Sequence, residues 1–452
     1  MQLMQMSLPA DTLRGLYERL ARANLAQTIL YPGDRPARQP VHTLYGGAHL
    51  FKQDSLIKLG ELARRSLGEY APNASTLSAA LELTPEIGQA IYLRLVDKLT
   101  REPVEDYRID FEDGYGNRLD AEEDAHAESA ARAVAAALSA RSMPPSFGIR
   151  IKPLTDDLRE RSVRTLDIFF TTLTRQAADA LPSRLIVTLP KVTSLDQVAV
   201  LVDLLDLLEH QLKLARGTIA VELMVETPRA IWDPGGRAVL PDLVRAAGAR
   251  CLGAHLGPYD YAATLDITAA YQTPAHPACE FARDMMQATL AGTGVWLADG
   301  PTMIMPIAPH RASSEHSLTA AQLEENRAVV HRAWKLHYDQ VRRALARGFY
   351  QGWDLHPAQL PARYAAVYAF FREGLASAGE RLRALIAQSA RATRVREVFD
   401  DAATGQGLLN YFLRAVACGA ITESEALDRG GLMLPELQTR SFLKIVQGRH
   451  RQ

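Results

Sequence analysis

Cysteine is scarce: Cys251, Cys279 and Cys418 are all that the 452 residues hold, none in CxxC spacing. That argues against a disulfide framework and a Cys-type zinc site. No run reaches the ~18 uncharged apolar residues of a membrane span. The opening MQLMQMSLPADTLRGLYERL lacks the basic stretch and apolar run of a secretory signal. Neither sign of charge prevails, with 51 Lys+Arg against 52 Asp+Glu. No basic block is long enough to draw nucleic acid or an anionic membrane by counter-ion release. The expectation is a cytoplasmic chain whose partners are small molecules, not nucleic acid or membrane.

Several chemical signatures are also missing. There is no HExxH, and His331 and His337 lie six apart, off a common helical face, so both are expected as solvated helix positions. No GxxxxGK[ST] phosphate loop and no GxSxG elbow occurs. Gly292-Thr293-Gly294 lacks the third glycine of a dinucleotide fingerprint and reads as a helix terminator.

What is present is an alternation of textures. Residues 8–24 read as an amphipathic helix and 53–101 as helices broken near Pro72-Asn73 and Pro85. Residues 31–48, rich in proline and glycine, read as loop, with Arg35, Arg38 and His42 placed to close over a site. From about residue 104, short β-rich runs alternate with helical patterns. The strand candidates are Tyr107–Glu112, Phe147–Lys152, Arg184–Pro190, Thr218–Glu226, Cys251–Gly257, Thr302–Ile307 and Gln351–His356. Helices are expected at Ala125–Ala140, Leu195–Leu214 and Ser317–Ala346, the last with Thr319 and Gln322 as a capping box. One more strand within 25–50 would complete eight, so the expected fold is α/β, a (β/α)8 TIM barrel. The expected organisation is an N-terminal helical segment and loop at 1–100 contributing the first strand, a catalytic barrel at 101–375, and a C-terminal helical lid at 376–452. Helices are expected there at Gly379–Glu397 and Gly407–Ala417.

Barrel strands are buried on both faces, so charges near their C-terminal ends call for a reason. Asp110 and Glu112 fall on one face of their strand, Arg150 and Lys152 on one face of the next. Glu226 ends the strand at 218–226, Lys191 follows the strand at 184–190, and Asp260 follows Gly257-Pro258-Tyr259. Two carboxylates, Glu226 and Asp260, at neighbouring strand ends form an oxygen-rich pair suited to Mg²⁺ or Mn²⁺.

In order along the chain, IDFEDG (109–114), GIRIK (148–152), VTLPKV (187–192), LMVETP (223–228), LGPYDYAATL (256–265), ADGPTMIMPIA (298–308) and GFYQGWDLHPAQL (348–360) stand at these strand ends. FDDAATGQGLLNYFLRA (399–415) follows outside the barrel. Together they resemble the superfamily of citrate lyase β subunits, malyl-CoA lyases and malate synthases, extending to the HpcH/HpaI aldolases. The 399–415 segment is the most malate synthase-like. Lys152 departs from the asparagine frequent in the lyases, the N-terminal stretch matches neither subgroup, and no segment marks a coenzyme A pocket.

The resemblance implies Glu226 and Asp260 as metal ligands, Arg150 as the substrate- and enolate-binding cation, and Asp401 as the catalytic base on a helical lid. Asp110, Glu112, Asp113, Lys191 and His356 are implied as supporting or substrate-contacting residues. The implied activity is a Mg²⁺-dependent carbon–carbon lyase or aldolase acting through an enolate on an α-keto or hydroxy acid, with a coenzyme A thioester as a possible substrate. Alternatives are malate synthase-like condensation of acetyl-CoA with glyoxylate, phosphoryl transfer on an enolpyruvate-type substrate, and a non-catalytic metabolite-binding paralogue. A homo-oligomer is plausible by resemblance alone.

Overall fold

The computed structural model describes residues 7–177, 180–182, 184–312, 316–391 and 402–450. A long helix, α1 (Ala10–Leu30), precedes the first strand, β1 (His42–Gly47). Three helices follow, α2 (Ser55–Tyr70), α3 (Ala74–Leu81) and α4 (Pro85–Arg101). Their breaks fall where the sequence places them: Asn73 caps α3 by accepting from Thr76 N, and Thr84 caps α4 ahead of Pro85 in its first turn.

Strands and helices then alternate: β2 (Asp106–Asp110), α5 (Asp120–Ser139), β3 (Ser146–Arg150), α6 (Arg159–Ala177), β4 (Leu185–Leu189), α7 (Leu195–Leu212), β5 (Ile219–Val225), α8 (Leu240–Ala247) and β6 (Cys251–Leu256). A short helix, α9 (Pro258–Thr264), and α10 (Pro277–Leu290) lead to β7 (Trp296–Asp299); α11 (Ala320–Ala346) leads to β8 (Gln351–Asp354). The eight strands pair in parallel in chain order and close, β8 on β1. The fold is therefore a (β/α)8 TIM barrel, and β1 supplies the strand sought within 25–50. The capping boxes Ser194/Gln197 and Thr319/Gln322 start α7 and α11. All three cysteines are free and buried. Among the described residues no helix is long and apolar enough to cross a membrane.

The seventh strand differs from expectation. It is Trp296–Asp299, and 302–307 is unpaired chain. Pro301 and Pro306 remove main-chain donors at both ends of that run. Met303 and Ile304 are more than half exposed, so the apolar pattern there does not mark a buried element.

After β8 come α12 (Leu360–Arg391), α13 (Ala402–Ala417), α14 (Glu423–Gly430), α15 (Leu434–Thr439) and α16 (Phe442–His450). As far as residue 391, the helix expected at 379–397 is the second half of a 32-residue helix that begins at the barrel rim, with Pro361 tolerated in its first turn; 392–397 lie outside the described residues. The expectation that the C-terminal helices roof the site is not met by the described contacts of α13. Arg414 reaches Asp34 and Gln39, and stands 4.0 Å from the Tyr350 ring just before β8, so it lies at the N-terminal end of the barrel.

The 31–48 segment goes to that same end. Arg35 donates to Gly294 O and Cys251 O, before β7 and at the start of β6, and Arg38 pairs with Glu102 and Glu105 ahead of β2. It therefore does not close over the mouth; it plugs the base, because the chain must enter β1 from below. His42 lies within β1, fully buried, with Nδ1 3.2 Å from Asp354 Oδ2.

Candidate active site

Inward-facing polar residues fill the middle of the barrel. Arg108 of β2 donates through Nη2 to Glu222 Oε1 at 2.6 Å and through Nε to Thr188 Oγ1 at 3.0 Å, and through Nη1 to Asp106 Oδ1 at 2.5 Å. His255 Nε2 stands 3.4 Å from Glu222 Oε1. Burial pushes Glu222 up, but Arg108 and His255 hold it below the usual carboxylate range. Trp353 Nε1 donates to His255 Nδ1 at 3.2 Å, and the Tyr45 ring stacks on Trp353 at 4.7 Å. Tyr45, Met224 and Trp353 form a small buried cluster of their own, a water-poor floor beneath the mouth.

Arg150 stands on that floor, its guanidinium carbon 5.0 Å from the Tyr45 ring centre and 5.8 Å from that of Trp353. Asp110, its partner in the β2–β3 register, takes a bidentate pair of hydrogen bonds, from Nε at 2.7 Å and Nη2 at 2.6 Å. Arg150 Nη1 is 3.1 Å from Glu112 Oε2 and 3.5 Å from Asp113 Oδ2. Burial alone would lower the Arg150 pKa; Asp110 and Glu112 raise it, so its charge is permanent.

Lys191 completes the cluster. Its ammonium contacts Glu112 and lies 3.3 Å from Asp113 Oδ1 and 3.5 Å from Asp260 Oδ2. Its main-chain N–H donates to Glu226 Oε2 at 2.8 Å. Glu226, just past β5, is buried, and burial pushes its pKa up to about 8; Arg150 and Lys191 oppose that, while Asp260 and Glu112 add to it. Burial likewise raises Glu112. Asp260 sits in the first turn of α9 rather than on a strand end, and is half-exposed. Gly257 makes room for Glu226: a Cβ there would come within 2.5 Å of Glu226 Oε1.

The residues singled out in the sequence are thus placed as follows. Asp110, Glu112, Asp113, Arg150, Lys191, Glu226 and Asp260 come together at the C-terminal rim through the contacts above. Lys152 does not join them: β3 ends at Arg150, and Lys152 turns outward to Phe111 O at 2.6 Å and Glu123 at 3.0 Å. The strict strand alternation that put it beside Arg150 stops with the strand. His356, after β8 on the same rim, accepts from Ala358 N through Nδ1 and caps a single 3-10 turn; burial lowers its pKa. Asp401 lies outside the described residues. His337 is not solvated, as expected, but buried, with Nδ1 2.9 Å from Thr302 Oγ1 and Nε2 3.0 Å from Asp354; His331 is part-buried against Tyr70 O. Tyr45, Trp353, His255 and Glu222, the floor residues, were not marked as site residues in the sequence. An aromatic or acidic residue facing inward at alternate strand positions is the signal that could have found them.

Five carboxyl groups (Asp110, Glu112, Asp113, Glu226 and Asp260) meet two cations (Arg150 and Lys191), an excess of three negative charges when all are ionised. A carboxylate that burial raises, beside further acidic groups, suits a hard divalent ion. Among the described residues no three His, Cys, Asp or Glu side chains already form a metal cage. An open pair such as Glu226 and Asp260 instead fits an ion that keeps water and substrate oxygens.

Comparison with solved structures finds Haloferax volcanii malate synthase. Its magnesium/glyoxylate complex matches at 14% identity over 92% of this chain and 99% of that one, with a TM-score of 0.48. The lead(II) complex matches at 13% over 89% and 99%, TM-score 0.47, and the pyruvate/acetyl-CoA ternary complex at 13% over 74% and 70%, TM-score 0.44. Likeness at that level leaves the activity to be read from the site itself. No curated protein matches. The model of one family, described as a domain of unknown function (DUF6986), matches residues 20–445, the whole barrel and nearly all of the chain, and the chain belongs to that family.

Proposed function

We propose that this chain is a Mg²⁺-dependent enzyme that makes or breaks a carbon–carbon bond beside a carbonyl, through an enolate, on a small α-keto or hydroxy acid. One observation carries the reading. Arg150, permanently charged and pinned by Asp110 on an aromatic floor, stands at the same rim as the carboxylates of Glu226 and Asp260. An enolate needs fixed positive charge where its oxygen develops, and a preorganised guanidinium gives it without reorganisation.

In this reading Glu226 and Asp260 hold the ion, which when bound supplies Lewis-acid polarisation of the acid's carbonyl. Arg150 binds the carboxylate or the enolate oxygen. Asp110 fixes its plane, and Glu112 and Asp113 limit its remaining swing. Tyr45, Met224 and Trp353 keep water from below. Asp401, the base that the resemblance implies, directly precedes α13, whose Arg414 lies at the opposite end of the barrel, so this reading assigns it no step. Whether an acyl-CoA is the carbon donor belongs to the same proposal.

The test is a product assay on the full chain with Mg²⁺, using glyoxylate, pyruvate, oxaloacetate and malate with and without acetyl-CoA. Nuclear magnetic resonance would follow carbon–carbon bond change and a thiol reagent would follow free coenzyme A. The expected result is metal-dependent turnover in the wild type that Glu226→Ala abolishes. Full metal-dependent activity in Glu226→Ala would sink the assignment.

A further inference from the structure

Lys191 adopts a backbone conformation that lysine seldom takes, with φ at +49°. That turn aims its main-chain N–H at Glu226 Oε2, 2.8 Å away. From the same residue the side chain crosses to three other carboxyl groups, those of Glu112, Asp113 and Asp260. Arg150 is committed to Asp110 by two hydrogen bonds. Lys191 is therefore the one cation in this cluster whose head group sits on a flexible, partly exposed stem.

An ammonium has three donors and here meets three acidic side chains. It stands among three of the rim's carboxylates, whose negative charge would also draw a divalent cation. The two cannot share that position. The carboxyl oxygens of Asp113 and Asp260 stand 3.3 and 3.5 Å from the ammonium nitrogen. A magnesium ion holds its oxygens at about 2.0–2.1 Å. The acids are thus spread around a lysine head group, which agrees with the absence, among the described residues, of a ready-made metal cage.

We propose that Lys191 is the built-in counter-cation of this acidic rim, and that a divalent ion binds by displacing its ammonium, so that this side chain sets the metal affinity. The inference rests on the metal-dependent reading above. Its main chain holds one ligand, Glu226, while its side chain shields another, Asp260, from empty-site repulsion. A lysine in this position keeps the metal-free rim from carrying its full excess of negative charge, and lowers the affinity for the ion in return.

The experiment is a Mn²⁺ titration of the full chain, followed by electron paramagnetic resonance of the free ion, on the wild type, Lys191→Met and Lys191→Arg. Methionine keeps the stem and the main-chain N–H, and it carries the same left-handed backbone as lysine. Lys191→Met is expected to bind Mn²⁺ at least tenfold more tightly, and Lys191→Arg no more tightly than wild type. Equal or weaker binding by Lys191→Met overturns the inference and leaves the metal reading standing. No binding by any form removes the metal reading and this inference with it.

Should Lys191→Met not fold, the wild type decides alone. Acetic anhydride labelling, mapped by peptide, compares Lys191 with the surface residue Lys58. Mg²⁺ is expected to speed labelling at Lys191 and leave Lys58 unchanged. Slower or equal labelling of Lys191 overturns the proposal.

Discussion

Glycine at position 257 is an absence that the neighbouring carboxylate uses. A Cβ there would press to within 2.5 Å of Glu226 Oε1. Gly257→Ala is therefore expected to cost about 1–3 kcal/mol of stability, as overpacking does, and to weaken Mn²⁺ binding by pushing Glu226 aside. Urea melts and a metal titration check the two effects separately. Arg150→Lys is expected to keep the fold and lose about 100-fold or more in turnover, because lysine cannot reproduce the bidentate grip on Asp110. A steady-state assay of the proposed reaction measures it. The charged members of the rim were legible in the sequence because Asp110, Arg150 and Glu226 stand at or just past the C-terminal ends of short β-rich runs. Tyr45 and Trp353 were not, since an aromatic side chain in a strand looks the same whether it floors a site or fills a core. The left-handed turn at Lys191 was hidden as well: nothing in VTLPKV asks for it, and it follows from where Glu226 lies in space.

Elements were most legible where their ends are chemical. Asn73, Thr84, Ser194 and Thr319 each accept from a main-chain N–H two or three residues into the helix they start. The misread strand at 302–307 shows the opposite case, an apolar run that pairs with no strand and has no cap. The 31–48 loop was placed at the wrong end of the barrel because composition gives no direction, whereas Arg35 finds its acceptors on chain entering β6 and β7. Between elements, Glu425 joins three: its carboxylate accepts from Thr422 N at the start of α14, from Arg94 of α4 and from Arg372 of α12. Burial acts against it, but Thr422 N–H, Arg372 and Arg94 hold its pKa down to about 2. A carboxylate lowered on folding stabilises above its unfolded value, here 4.5, and that gain is lost as pH falls towards about 2. Glu425→Gln is expected to cost about 1–2 kcal/mol at pH 7, with the gap to wild type closing below pH ~4.5. Denaturant midpoints across that range give the answer.

At the scale of the molecule, α1 stands apart. Leu16, Tyr17, Leu20, Leu25 and Ile29 are all exposed, so the helix buries little against the body. Removing the chain through residue 30 is expected to move the melting temperature by no more than about 2 °C, since α1 itself buries little; differential scanning calorimetry tests it. The closed barrel has a different consequence. Its seam joins the first strand to the last, His42, Thr43 and Leu44 against Gly352, Trp353 and Asp354, and Gln351 bonds Thr43 across 308 positions of sequence. A ribosome must therefore emit most of the polypeptide before β1 can find its second neighbour, and until then that strand is an open edge able to recruit another nascent chain. Ring closure across so long a loop is a late event, so in pulse-labelled refolding the amides of β1 and β8 gain protection after those of β3 to β5, and a chain stopped short of residue 354 is the form most prone to aggregate.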